Sequence, residues 1–129
     1  MATGVAEVVE PGLVITRVER GDVTSIRLEG FLDAHTAPAL DKEIKQVIDL
    51  GTRRIVANLA RLDYISSAGL GVFMSHVESL RADGGDLRLC GLIPKVRRVF
   101  DIVGFSRVFE LDDEEDGAVE RFAGKGTVS

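Results

Sequence analysis

The chain has no tryptophan, one tyrosine, one cysteine and two histidines. Each shortage closes off a class of protein. A single thiol, Cys90, excludes an intramolecular disulfide and a cysteine metal cluster. His35 and His76 alone do not make a histidine-rich site, so no metal is expected. Aromatic residues are 5% of the chain, too few for a platform on which bases stack. Basic residues number 16 against 21 acidic, a formal net charge of −5. That balance lacks the basic face that nonspecific binding to nucleic acid or anionic lipid requires. An apolar run of roughly 18 residues, the minimum for a membrane-spanning helix, is missing, so no membrane insertion is expected. Met1 to Glu10 has neither the basic flank nor the apolar stretch of a secretory signal. With so little cysteine, a reduced, cytoplasmic setting is expected.

What is present suits one globular domain. The chain has 129 residues, 45% hydrophobic and 29% charged, an ordinary balance for a folded protein of single-domain length. Residues 1–10 read as a flexible N-terminal tail, 11–123 as the domain and 124–129 as a flexible C-terminal tail. Leu13 to Val18 is rich in β-branched residues and reads as a strand. Glu19 to Asp22 supplies a turn, and Val23 to Glu29 a second strand in which Thr24, Ile26 and Leu28 share a face. The pair reads as an antiparallel hairpin at a sheet edge. Arg20-Gly21-Asp22 spells an adhesion tripeptide, but its glycine and aspartate are what a tight turn needs. A helix follows from Thr36 as N-cap, with Pro38 in its first turn, an apolar face of Leu40, Ile44, Val47 and Ile48, and Gly51 as its stop.

Arg54 to Leu59 reads as a central buried strand and Ala60 to Ile65 as a loop. A second helix starts at Ser67, with Leu70, Phe73, Met74 and Val77 on one stripe. Asp86 to Cys90 is a strand, with Cys90 a buried inert thiol. A third helix runs from Pro94 to Gly104, its outer face made basic and solvated by Lys95, Arg97 and Arg98. Val108 to Leu111 reads as a last strand, and the acidic run Asp112 to Asp116 as a solvating helix start reaching Phe122. Alternating strands and helices predict an α/β fold: a four- to five-stranded mixed sheet flanked by about four helices.

The stretch richest in information is Ser66-Ser67-Ala68-Gly69-Leu70-Gly71. Ser67 stands where a cap belongs, worth about 1 kcal/mol. Gly69 and Gly71 each cost a helix about 1 kcal/mol against alanine. Two of them at a helix start imply a close approach, by a neighbouring element or by a partner protein. The glycine-lysine pattern of a phosphate loop is absent, and so is the Gly-x-Ser-x-Gly elbow of a serine hydrolase. His76 lies about 13 Å along the helix from Ser67 at 1.5 Å per residue. No enzyme activity and no cofactor are therefore expected.

Several ordered motifs together resemble one family. They are Gly30-Phe31-Leu32-Asp33-Ala34-His35-Thr36-Ala37, Asn58-Leu59, Asp63 through Val72, Gly84-Gly85-Asp86-Leu87, and Val96 through Asp101 to Gly104-Phe105. Across about residues 13–111 the chain resembles the bacterial anti-sigma-factor antagonists of the STAS domain family. The resemblance implies a single STAS-type domain that binds an anti-sigma factor, itself a serine kinase of the GHKL type. It implies inactivation by phosphorylation on Ser67 and reversal by a PP2C-type phosphatase. It places Asp33, Ser66, Ala68, Gly69 and Gly71 at the partner-binding surface and leaves a weak homodimer open. Ser66 stands where the family commonly has aspartate, and Ala68 where it has a second hydroxyl. A non-phosphorylated STAS scaffold or regulatory subunit of a signalling or transporter complex is the alternative. A phosphate would add about −1.5 to −2 charges at a helix start, which the helix dipole tolerates and an interface does not.

Overall fold

The computed structural model describes the backbone of residues 5–128 and the side chains of residues 6–122. Three antiparallel strands come first: β1 (Val5–Glu10), β2 (Leu13–Arg20) and β3 (Val23–Leu32). Helix and strand then alternate through α1 (Ala37–Asp49), β4 (Arg54–Ile65), α2 (Ser67–Ala82), β5 (Asp86–Cys90) and α3 (Pro94–Val103). A 3-10 turn (Phe105–Arg107), β6 (Leu111–Asp112) and α4 (Glu115–Val128) complete the order. The strands lie in sequence order in one six-stranded sheet, parallel from β3 onward. This is the expected α/β architecture with a mixed sheet and four helices, carrying six strands instead of four or five.

The alternation of side chains along the strands sorts the helices onto two faces. Ile15, Ile26, Leu28, Ile55, Leu59, Leu87 and Leu89 meet Leu40 and Ile44 of α1, Phe73 and Val77 of α2, and Phe100 of α3 in the main core. Each such buried side chain contributes roughly 1.5–3 kcal/mol. Phe109 sits edge-on to Phe73 and Phe100, at centroid distances of 6.5 and 6.1 Å. On the opposite face α4 alone covers the sheet, laying Ala118 and Phe122 over Val23, Val56 and Cys90.

The structure corrects several expected boundaries. Val5–Glu10 is a strand and not a tail, paired with β2 along its whole length around a Pro11-Gly12 turn. The β2–β3 hairpin is therefore interior, and β1 is the edge. Residues 60–65 complete β4 and are not a loop. Register shifts between Arg27 and Glu29 and between Gly30 and Phe31 let the strand turn Arg61 and Asp63 outward while Leu62 and Ile65 stay in the core. The last strand is Leu111–Asp112 and not Val108–Leu111, because the 3-10 turn sinks Phe109 into the aromatic cluster. The expected C-terminal tail is helical as far as Val128. Residues 1–4 and 129 of the two expected tails lie outside the described residues.

The acidic run also needs correcting. It starts α4 as expected, but Glu115 is buried and is not a solvating group. Arg27 donates to it twice, Nε to Oε1 and Nη2 to Oε2, both at 2.9 Å. Arg20 Nη1 donates at 2.7 Å and Asn58 Nδ2 at 2.9 Å. Burial by itself would raise the Glu115 pKa. The hydrogen bonds from Arg27, Asn58 and Arg20 outweigh it and hold the carboxyl at about 2. The Asp112 side chain is also buried and pairs with Arg88 at 3.1 Å. Burial, followed by these two carboxylates, pushes the Cys90 thiol up to about 12, which keeps it inert.

A depressed carboxyl pKa contributes stability that is complete above the unfolded pKa and is lost as pH falls through the folded one. Wild-type stability should therefore be flat above about pH 5 and decline towards pH 2, the folded value at Glu115. Glu115→Gln should lose about 2 kcal/mol at pH 7, after allowing for the solvent that screens the arginines. It should also lose the part of this acid dependence that Glu115 contributes, leaving that of Asp33 and Asp41, whose carboxyls are also held low. Urea unfolding across pH 2–7 measures both, and an identical acid limb in the variant would rule the cluster out as its source.

Candidate functional site

The site forms where β3, β4 and α2 meet at the carboxyl end of the parallel strands. The Ser66 N–H donates to the Leu32 carbonyl at 2.9 Å, tying the end of β4 to the end of β3. Ser66 is extended, at φ −102° and ψ 175°, and its Oγ accepts from the Gly69 N–H at 3.4 Å. Ser66 is thus the N-cap of α2, one residue earlier than the sequence suggests. The reason is the strand, which runs without a loop to Ile65 and leaves the first non-strand residue to cap. Ser67 is released from capping. It is exposed in the first turn, and its hydroxyl makes no hydrogen bond among the described residues.

The two glycines differ. A Cβ at Gly69 would lie 2.6 Å from Leu32 Cγ and 3.1 Å from Ile65 Cγ1, both core side chains. Gly69 therefore lets α2 press onto the strand ends, and internal packing accounts for it. A Cβ at Gly71 meets nothing within 4 Å. Gly71 and Ala68 are exposed on the same helix start as Ser67.

Asp33 lies in the β3–α1 connection, at the same end of the sheet. Its Oδ1 accepts from the N–H groups of His35 at 2.9 Å and Thr36 at 3.1 Å. The Thr36 amide first, then that of His35, holds this carboxyl below the usual range. Asp33 makes no hydrogen bond to Ser67. Thr36 occupies the expected cap position of α1, but its hydroxyl donates to the Phe31 carbonyl and accepts from the Asp33 N–H, each at 2.9 Å. The loop is thereby folded back on β3. Lys95, at the start of α3, reaches Asp63 of β4 at 3.1 Å, so it is not simply solvated.

The other chemistry-bearing groups lie elsewhere. His76 is buried, with Nε2 2.7 Å from Asp41 Oδ1, and joins α2 to α1. A cleft of about 310 Å³ opens on the α4 face, lined by Thr16, Arg27, Glu29, Asn58 and Arg61. Among the described residues no group of acidic, histidine or cysteine side chains could hold a metal ion. No described helix is long and apolar enough to cross a membrane. Sequence reading assigned no role to Phe31 and Tyr64, at the same end of the sheet. Their signal was an aromatic side chain inside each of two quoted motifs, in a chain with few aromatics.

The fold and site define an α/β domain whose distinguishing feature is an exposed hydroxyl at a helix start. The STAS domain family matches residues 14–118, and the chain belongs to it. A Bordetella bronchiseptica protein, BtrV, designated a candidate anti-sigma factor antagonist, is 42% identical over 95 residues, covering 74% of this chain and 82% of BtrV. The anti-sigma-B factor antagonist of Staphylococcus epidermidis is 28% identical over 101 residues, covering 78% of this chain and 94% of its own. The anti-sigma factor antagonist SpoIIAA in its unphosphorylated form superposes with a TM-score of 0.76 at 28% identity, covering 85% of this chain and 96% of SpoIIAA. The phosphorylated form of Bacillus SpoIIAA matches with a TM-score of 0.63 at 26% identity, covering 94% and 99%.

The contrast between the glycines is measurable. Gly69→Val should lower stability by about 1–3 kcal/mol, because Leu32 and Ile65 have no room to move. Gly71→Leu should leave stability unchanged or raise it by about 0.5–1 kcal/mol through helix propensity. Chemical unfolding of both variants tests this; equal losses would mean that Gly71 also serves packing.

Proposed function

We propose that this chain is an anti-sigma factor antagonist whose binding to its anti-sigma factor is ended by phosphorylation of Ser67. The observation that carries this reading is the division of labour at the start of α2. Ser66 caps the helix, and the adjacent Ser67 presents an unbonded hydroxyl to solvent. A kinase can reach that hydroxyl without opening the fold. The unpaired amides and dipole of the helix start favour a phosphate on the domain itself. In a protein contact the same group brings about −1.5 to −2 charges into a desolvated surface. Repulsion at the interface then switches the domain off with no rearrangement inside it.

The relatives named as anti-sigma factor antagonists, and SpoIIAA in two phosphorylation states, support this reading. The partner is an anti-sigma factor that is also a GHKL-type serine kinase, and a PP2C-type phosphatase resets the switch in the cytoplasm. The domain is a kinase substrate and not itself an enzyme. Ser67, Ser66, Ala68, Gly71 and Asp33 face the partner. Gly69, claimed by the core, leaves that set. The scaffold alternative rests on Ser66, which replaces the family's usual aspartate beside the acceptor.

Incubating the protein with MgATP and each purified GHKL-type kinase of its source organism should yield one phosphate, on Ser67. Ser67→Ala should cost the fold no more than about 0.5 kcal/mol, since the cap is Ser66. That variant should stay bound to the kinase in the presence of ATP. Phosphorylation should weaken binding at least about tenfold, or 1.4 kcal/mol, and Ser67→Glu by less. Calorimetric titration measures these affinities. Equal affinity of the phosphorylated and unphosphorylated forms would replace the switch with the scaffold.

A further inference from the structure

Large apolar side chains exposed among the described residues include Val9, Leu50, Ile102 and Val103, distributed over the surface. Single residues of this kind are ordinary on any protein. Phe31 and Tyr64 differ from them. They are register partners on β3 and β4, so they lie side by side, and both are at the end of the sheet that carries Ser67. Phe31 is 46% exposed and Tyr64 50%. Their successors Leu32 and Ile65 point into the core under α2, so alternation turns both rings to the other face of the sheet, at the end that carries Ser67. Neither ring contacts another aromatic, and the Tyr64 hydroxyl has no hydrogen bond among the described residues.

We infer that Phe31 and Tyr64 are the aromatic anchor of the partner interface, seated against an apolar surface of the anti-sigma factor that also carries a cation for Asp33. This rests on the partner reading above and adds to it where the affinity comes from. Tyr64 is three residues from Ser67, at most about 11 Å between Cα atoms at 3.8 Å per step. A standard interface covers about 800 Å² of each partner, a disc of roughly 16 Å radius, so one centred on Ser67 extends to the sheet end that carries both rings. Tyrosine and phenylalanine are enriched at such contacts, offering large rigid surfaces, and tyrosine adds a polar tip.

The charges around the rings define the partner's chemistry. Arg61 lies 3.9 Å from Glu29, and Lys95 lies 3.1 Å from Asp63, so these four largely neutralise one another. Asp33 has no lysine or arginine partner among the described residues, and the Thr36 and His35 amides hold its carboxyl below the usual range. The complementary surface is therefore an apolar pocket or ridge with a single lysine or arginine at its margin. On this arrangement the rings supply the affinity and Ser67, at the same end of the sheet, supplies the control.

Calorimetry of full-length variants against the GHKL-type kinase that binds the wild type tests this. Phe31→Ala and Tyr64→Ala should each weaken binding at least about tenfold, with thermal melting unchanged, while Tyr64→Phe stays near wild type. Ile102→Ala, at a residue 75% exposed on the distal end of α3, should bind as wild type. Tyr64 is the only tyrosine in the chain, so its nitration by tetranitromethane reads one side chain. Nitration should slow in the complex and recover when Ser67 is phosphorylated. A Phe31→Ala/Tyr64→Ala double variant that binds like the wild type, or undiminished nitration in the complex, overturns the anchor while leaving the switch standing. A wild type that binds none of the kinases overturns the partner reading and the anchor with it.

Discussion

The parallel pairing of β3 with β4 is the constraint on which the rest depends. It runs from Thr24 against Ile55 to Leu32 against Ile65 and ends in the Ser66-to-Leu32 hydrogen bond. Because both strands stop together, the β3–α1 connection and the start of α2 are held at one edge. Gly69 then allows α2 to begin directly on Leu32 and Ile65, with no intervening loop. Gly30 serves the same pairing from the other side. A Cβ there would overlap the Gly12 carbonyl oxygen, to which the Phe31 N–H donates at 2.7 Å. A shorter β4 would end in a loop, and the hydroxyl at the helix start would have no fixed position relative to Asp33.

The two faces of the sheet are stabilised by different physics. The face under α1, α2 and α3 is a continuous apolar core, and its strength comes from burial. The other face has only α4, and there Glu115, Arg20, Arg27 and Asn58 share the task with a small apolar cluster. Such a charge cluster is demanding, since Glu115 is buried and loses compensation when one of its partners is removed. Its benefit is directional: it sets where α4 begins. The site lies on the side with the continuous apolar core, so under the proposed switch a phosphate at Ser67 would alter the surface without disturbing that core.

The division between Ser66 and Ser67 shows how one residue of register decides chemistry. A serine that caps a helix has its oxygen engaged by an amide, while its neighbour in the first turn does not. In this chain the cap falls on Ser66 because β4 reaches Ile65. The hydroxyl left without a bond is then Ser67, the position that the family resemblance assigns to phosphorylation.

Sequence by itself determined the class of fold and the succession of helices and strands from Leu13 onward, and it singled out Ser66 to Gly71 as the stretch proposed as the site. These are local signals: β-branched runs, the stripe of Leu70, Phe73 and Val77, and glycines and prolines at the breaks. It did not reveal β1, because Glu7 and Glu10 dilute its apolar pattern and only pairing with β2 makes it a strand. Nor did it show that residues 60–65 are strand, since Arg61 and Asp63 look like loop until β3 lies alongside. The buried Glu115 was hidden in an acidic run, because its cationic partners lie 88 and 95 residues away in the chain. Only the tertiary structure decided which serine caps, which glycine packs and which two aromatics stand exposed at the same end of the sheet, because each depends on contacts between residues far apart in the chain.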